Sequence, residues 1–505
     1  MGGAFTSALR LIAAGWVLVR YDALAPGEIE ALLPPLARWV ARLLRLFAGK
    51  QARIGRPGER LAFAFERMGP VTIKLGQMLS TRADIFGGTF AQDLNRLKDR
   101  LAPFPLAVAM AEIEASLQVP AQSLFVSIEP ALAAASIAQA HRAVMTDGRV
   151  VAVKVLRPGI ERRVALDIGA LRLGAYLAEA AAPPLRRLEP RALVDTVARS
   201  LELELDMRLE ASAASELGEV MAGDGHMRAP AVVWEGVGRR VLTLEWAQGQ
   251  PMSDPAALEQ PGMDRKLLAQ NLIRGFLAQA LDHGAFHADL HEGNLFCAPP
   301  GMIMAVDFGI VGRIGAPERR YLAEILWGFL KRDYRRVAEV HFEAGYVPAH
   351  HSVELFAQAL RAVGEPVLGR SADQVSMGRL LAQLFEVTAL FDMRLRPELV
   401  LLQKTMVTVE GVARRLDPQH DIWAAARPVV ERWIARELSA PARLKTLAKD
   451  VSGALKGLVH LSETLPVLLG EPRNRPPSGV ALWAMGVAVA ALMAAAFAVG
   501  AVVMR

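Results

Sequence analysis

The chain has 505 residues, 52% of them hydrophobic, a mean hydropathy of +0.25 and a net charge of +6, more than one ordinary domain but suited to a two-lobed enzyme with helical additions. Its one cysteine, Cys297, excludes an intrachain disulfide and a multi-cysteine metal site, as expected in a reducing compartment. The positive charge is scattered through amphipathic helices without an aromatic-basic motif, so no nucleic-acid partner is expected, and it is compatible with an anionic membrane surface.

In chain order, residues 1–125 read as helices. The stretch Leu11 to Val19 is apolar but short, is flanked by Arg10 and Arg20, and runs into Tyr21-Asp22 without a small-residue cleavage site. It predicts an amphipathic helix lying on protein or on membrane. Leu36 to Phe47 and Arg60 to Met68 carry apolar residues at three-and-four spacing, and Gly69-Pro70 breaks one helix and starts the next. From about 126 to 158 the texture turns to short β-type runs, Val150 to Val155 being the clearest. Helical patterning returns over Glu161 to Ala182 and over Arg191 to Glu219, followed by a strand at Arg240 to Glu245 and a turn at Gln248 to Pro251. Lys266 to Asp282 predicts an amphipathic helix stopped by Gly284. Arg319 to about Leu469 is nearly all helical, and Pro476-Pro477-Ser478 forms a stiff linker. From Gly479 to Met504 no charge occurs in 26 residues. At ~1.5 Å per residue, such a helix exceeds the ~30 Å hydrocarbon core, so a transmembrane helix is expected there. Trp483 suits an interface, and Arg473 and Arg475 before the span against Arg505 after it place the large N-terminal part in the cytosol.

Phosphoryl transfer from a nucleotide needs a cation on the phosphates, an acid orienting it, a carboxylate beside the acceptor and ligands for magnesium. Lys154 ends the run Val151-Ala152-Val153-Lys154, the pattern by which kinases set a lysine against the phosphates. Asp289 lies in His287-Ala288-Asp289-Leu290-His291-Glu292-Gly293-Asn294, with H-x-D-x-x-x-x-N spacing directly after a helix. Asn294 opens a strand, Pro299 to Gly301 turns it and Met302 to Val306 returns to Asp307-Phe308-Gly309, so one hairpin joins two candidate magnesium ligands, Asn294 and Asp307. A metallohydrolase cluster of His287, Asp289 and His291 is a rival that leaves the other motifs as coincidences. Glu210 is the candidate acid for Lys154: on a continuous helix Glu202, Asp206 and Glu210 share a face, so Glu202 and Asp206 are nearly as eligible, while Glu204 faces elsewhere and could pair with Arg208. In place of a glycine-rich loop stand Ala133, Ala134, Ala135, Ser136, Ile137, Ala138 and Gln139, which permit close backbone approach to phosphates. Ala316-Pro317-Glu318 copies the end of an activation segment but comes too soon, so it should start a helix, and the platform for a peptide substrate is missing.

Together Gly69 to Gln77, the run from Ala133 to Ala143, Lys154, Glu204 to Asp206, Glu210, His287 to Asn294 and Asp307 to Gly309 resemble the UbiB atypical kinases. The resemblance implies an α+β, two-lobed protein-kinase-like fold: a helical extension with a KxGQ motif (1–125), an N-lobe (126–245), a C-lobe (246–420), a helical segment and linker (421–478) and the membrane helix (479–504). It implies ATP and Mg2+ as cofactors, a site that also takes in Glu245 and Trp246, and a regulatory lid in which Lys74 and Gln77 project toward Glu204 and Asp206. It also implies work in ubiquinone synthesis on the cytoplasmic side of the inner membrane, with membrane lipid, polyprenyl-phenol precursors and other biosynthetic enzymes as partners. Leu290 and Glu292 replace prolines usual in the family, which predicts a freer, more acidic catalytic loop. The alternatives are a pseudokinase scaffold for those enzymes and an accessory part of a polyprenylphenol hydroxylation step; for the latter the chain shows no flavin fingerprint and no iron site.

Overall fold

The computed structural model describes residues 2–24, 34–80, 88–94, 101–181, 189–370, 386–393 and 397–437, with a few isolated positions between them. The expected transmembrane segment at 479–504 and the linker before it lie outside these residues. Among the described residues no helix is long and apolar enough to cross a membrane.

The N-terminal extension is helical: α1 (Gly2–Arg20), α2 (Pro35–Leu44), α3 (Pro57–Met68), α4 (Pro70–Ser80) and α5 (Gly88–Leu94). Leu61, Ala64 and Phe65 of α3 form a small core with Phe90 and Leu94 of α5. Gly76 lets α4 lie close on this core, since a Cβ there would sit 2.7 Å from the Phe65 ring. One side of α1 rests on protein, with Arg10 paired to Asp167 and Leu11 beside Gly174.

After α6 (Leu106–Leu117), strands β1 (Phe125–Ala134), β2 (Ala138–Met145), β3 (Val150–Leu156) and β4 (Val241–Glu245) form an antiparallel sheet in the order β1-β2-β3-β4. Alternation along β3 decides what each face receives. Val151, Val153 and Val155 are fully buried against a core that includes Ile113 of α6, and Lys154 points to the opposite face. That face is covered by α7 (Ile160–Ala181), α8 (Pro190–Glu204) and α9 (Met207–Asp224), whose Val164, Leu201, Met207 and Ala211 pack with Leu242 of β4.

The single helix expected over Arg191 to Glu219 is two helices. Leu205 leaves helical geometry, and Asp206, with extended backbone, caps α9 by accepting the Arg208 backbone N–H. The shared acidic face of Glu202, Asp206 and Glu210 therefore does not exist. The second lobe is built on α10 (Arg265–Ala278), whose Leu268, Leu272 and Phe276 are buried. A π turn at Gln279–His283 follows, and Gly284 (φ 73°) ends it where a Cβ would meet the Ile314 carbonyl at 2.6 Å.

In place of a turn over Gln248 to Pro251 the chain bends at Gly249 (φ 97°), and Gln250–Pro251 pairs as β5 with Phe296 and Cys297. Strand β6 (Ala285–His287) precedes the hairpin β7 (Leu295–Ala298) and β8 (Met302–Ala305), and β6 pairs with β9 (Val311–Arg313). Beyond it come α11 (Ala316–Lys331), opening at Ala316-Pro317 as expected, then α12 (Tyr334–Glu343), α13 (Val353–Gly364), α14 (Pro397–Leu416) and α15 (Ile422–Glu437). Val409 and Val412 of α14 and Trp433 of α15 complete the core around α10, and the Trp433 indole donates to the Leu281 carbonyl at 2.8 Å.

Candidate active site

The site lies where β3, α9 and the β7–β8 hairpin meet. Lys154 donates to both Glu210 oxygens at 2.8 and 3.0 Å and to Asp307 Oδ1 at 3.2 Å. Glu210 is thus the acid partner, for a reason absent from the acidic-stripe argument: it sits in the first turn of a new helix, facing the polar side of β3. Burial opposes the Lys154 charge, but the Asp307 and Glu210 carboxylates outweigh it and its pKa rises. The Lys154 ammonium holds Asp307 down at about 2, while burial pushes Glu210 up. Asp307 is a non-glycine residue in the left-handed region (φ 65°), held there at the end of the hairpin.

The catalytic loop is fixed from behind by His287. Its Nδ1 accepts the Asp289 backbone N–H at 3.1 Å, so its proton is on Nε2, which donates to the Val306 carbonyl at 3.1 Å. Burial lowers its pKa and keeps the ring neutral. With both nitrogens engaged, His287 has no lone pair for a metal, which removes the metallohydrolase reading. The His291 Nδ1 likewise accepts from Gly293 N–H at 3.0 Å, turning Nε2 toward Asp289 Oδ2, 3.6 Å away. Asn294 donates through Nδ2 to the Asp289 carbonyl at 3.1 Å, and Val306 N–H donates to the Asn294 carbonyl at 2.9 Å. The hairpin therefore brings Asn294, Asp289 and Asp307 to one place, and the fixed Asn294 amide presents Oδ1 as an oxygen ligand.

Leu290 and Glu292 do not free the loop. Leu290 is fully buried in the C-lobe core, and Glu292 is paired with Arg415 of α14 at 2.6 Å. A third tie also comes from α14: the Thr405 hydroxyl is shared between the Leu401 carbonyl of its own helix at 2.9 Å and the Ala288 carbonyl at 3.1 Å. None of these ties was foreseen: Ala288 and Thr405 are 117 positions apart, and nothing local marks them.

The small-residue run from Ala133 to Gln139 spans the turn from β1 to β2, with Ala133 and Ala134 ending β1 and Ala138 and Gln139 opening β2. Ala135 N–H donates to the Ala138 carbonyl at 2.8 Å, and Arg157 Nε donates to the Ala135 carbonyl at 2.9 Å. Ser136 is buried, and the buried Gln139 amide bonds the Phe104 backbone in both directions, so its side chain holds the loop down and is not available to a ligand. At the other edge Trp246 N–H donates to the Val150 carbonyl at 3.0 Å and the Arg142 guanidinium lies over its ring, while Glu245 is exposed at the end of β4.

The lid contact is partly as expected. Lys74 of α4 is paired with Glu204, both mostly buried. Asp206 is held by Arg208 at 2.6 Å instead, and no side-chain bond joins Gln77 to either acid among the described residues. Glu204 therefore pairs with Lys74 and not with Arg208.

Comparison with known proteins agrees with this architecture. An ABC1 atypical kinase-like domain matches residues 96–341, and a UbiB helical domain matches 360–421. The "Probable protein kinase UbiB" of Marinobacter nauticus is 37% identical over 481 residues, covering 93% of this chain and 86% of that protein. That of Xanthomonas axonopodis pv. citri is 39% identical over 459 residues, covering 87% and 81%. A solved structure described as the complex of Rv3197 and erythromycin from Mycobacterium tuberculosis shares the fold, with a TM-score of 0.51 and 24% identity over 70% of this chain and 90% of the other. The matched helical domain includes α14, the helix that ties down the catalytic loop. With both domains matched and these relatives aligned over most of its length, the chain belongs to the UbiB family of atypical kinase-like proteins.

Proposed function

We propose that this chain binds ATP with Mg2+ and uses it as a phosphotransferase or ATPase in support of ubiquinone synthesis. The single observation that carries the reading is Lys154 held between Glu210 and Asp307, a cation placed for phosphates beside a carboxylate that stays ionised. Lys154 would meet the phosphates, Asp307 and Asn294 would hold the magnesium, and Asp289 would orient the acceptor. Bound magnesium would neutralise phosphate charge as the transferred group departs. The early start of α11 at Ala316 leaves little chain for a peptide-binding platform, which favours a small or lipid acceptor, or water. The uncharged run 479–504 supports a membrane anchor with the kinase-like domain on the cytoplasmic side of the inner membrane.

Calorimetry with Mg-ATP tests the site. Asp307→Asn is expected to weaken binding at least tenfold, and Lys154→Ala to weaken it with the fold retained; undiminished affinity in Asp307→Asn would sink the assignment. Quinone content in cells whose own copy is replaced by Asp289→Asn tests the pathway, and an unchanged ubiquinone level removes that part of the proposal.

A further inference from the structure

The first 63 residues carry an unusual share of exposed apolar surface. Among the described residues, 13 of the 23 large hydrophobic side chains exposed to solvent fall between Phe5 and Phe63. They are ordered. On α1, Phe5, Leu9, Ile12 and Trp16 recur at intervals of four, three and four, forming a stripe on the side turned away from α7. On α2, Leu36, Trp39, Val40 and Leu43 form a second stripe, and the Trp16 and Phe47 rings, 6.1 Å apart, join the two into one surface. Isolated exposed hydrophobics need no explanation, but a contiguous patch of this extent marks an interaction site.

The charge around the patch identifies its partner. Neither α1 nor α2 contains an acidic residue. Residues 34–56 hold Arg38, Arg42, Arg45, Lys50, Arg53 and Arg56 and no acid; Asp22 and Asp93, outside this stretch, pair with Arg45 and Arg56 and leave the basic side chains in excess. A second copy of the same surface would set like charges against each other, whereas an anionic bilayer offers opposite charge at its headgroups and hydrocarbon just beneath. Trp16 and Trp39 are the amphipathic rings that such a boundary favours.

We propose that α1 and α2 dock side-on into an anionic lipid surface, a second membrane contact separate from the 479–504 tail. It extends the membrane part of the proposed function but rests on different residues. Cys297 is buried, so nitroxide labels introduced through Ile12→Cys, Trp39→Cys and a control, Ser127→Cys on β1, would report only their own sites in the full-length chain. In phosphatidylcholine–phosphatidylglycerol vesicles, the ratio of oxygen to water-soluble nickel-chelate collisions at 12 and 39 is expected to exceed that at 127 severalfold. The excess should shrink in phosphatidylcholine alone. Equal ratios at all three positions would overturn the proposal, as would labels at 12 and 39 shielded from both reagents, the mark of a protein partner or second copy. Carbonate washing of the same vesicles reports on the tail separately. Inserted labels on a chain that washes off leave this proposal standing and remove the tail anchor; aqueous labels on a retained chain do the reverse.

Discussion

At the scale of single residues, one ammonium separates two carboxylates. The pKa of Asp307 is depressed to about 2 in the folded chain, so its contribution to stability is complete above the ordinary carboxyl value of ~3.9 and is lost as pH falls toward 2. Removing the cation reverses this. In Lys154→Met, Glu210 and Asp307 face each other without compensation, so the pair must take up a proton above the ordinary carboxyl range. A raised folded pKa means that the variant gains stability as pH falls. Burial already raises Glu210 in the wild type, so the difference in unfolding free energy between wild type and Lys154→Met should narrow from pH 8 to pH 5 by about 1.4 kcal/mol for each unit by which the variant's pair titrates above both pH 5 and the wild-type Glu210. Urea unfolding at the two pH values measures it, and a constant difference would mean that Glu210 and Asp307 do not share Lys154. Lys154 and Asp307 were legible in the sequence because each belongs to a motif of fixed spacing, whereas spacing alone left Glu210 beside Glu202 and Asp206 on a helix that is not continuous. The role of His287 as the strut behind Asp289 was not legible, because its tautomer follows only from contacts with the Asp289 N–H and the Val306 carbonyl.

Among elements, the informative contact is between α14 and the catalytic loop. Thr405 is 1% exposed, and its hydroxyl is shared between the Leu401 carbonyl and the Ala288 carbonyl, next to Asp289 in the chain. Thr405→Val keeps the shape and removes this shared donor from the buried Ala288 carbonyl, at a cost of about 1 kcal/mol. The Glu292–Arg415 pair has one exposed partner and contributes less, ~0.2–1 kcal/mol. Both ties act on the loop and not on Lys154. Thr405→Val and Arg415→Glu are therefore expected to lower nucleotide turnover severalfold, Thr405→Val more, with Mg-nucleotide affinity within a factor of two. Combining Arg415→Glu with Glu292→Arg should restore the rate. Steady-state turnover beside calorimetric affinity makes the distinction, and loss of affinity equal to loss of rate would speak against positioning. Sequence patterning reached the elements themselves: β3, α10 and the β7–β8 hairpin carry strong local periodicity or turn residues. It failed at the α8–α9 junction, where Leu205 and Asp206 interrupt an unbroken helical pattern with no glycine or proline to announce it. Asp206 is a good N-cap, but mid-helix aspartates look the same until the backbone is seen.

For the molecule as a whole, the extension meets the kinase-like lobes through the packing of α1 on α7, the burial of Val71 with Leu201, and the Lys74–Glu204 pair, which alone reaches the junction before α9. Glu204 is the last residue of α8, Asp206 caps α9, and Glu210 in the first turn of α9 holds Lys154. A displacement of Glu204 therefore reaches Lys154 through one short, capped junction, with no longer route required. Lys74 and Glu204 are both mostly buried, so truncating one leaves the other short of a partner, at about 1–3 kcal/mol. Gln77 and Asp206 were expected to share this contact and do not, so the coupling should follow the Lys74–Glu204 charge alone. Lys74→Ala is accordingly expected to change Mg-ATP affinity and to permit some autophosphorylation, whereas Gln77→Ala should leave both near wild type. Adding Asp289→Asn to Lys74→Ala should abolish the autophosphorylation, because the orienting carboxylate is gone while the loosened extension remains. Label transfer from γ-labelled ATP, with the four chains side by side, reads all of these outcomes. Gln77→Ala matching Lys74→Ala would place the coupling in the packing of α4 instead of the ion pair. Strong phosphorylation of general protein substrates by the unmodified chain would mean that the extension does not restrain the site at all.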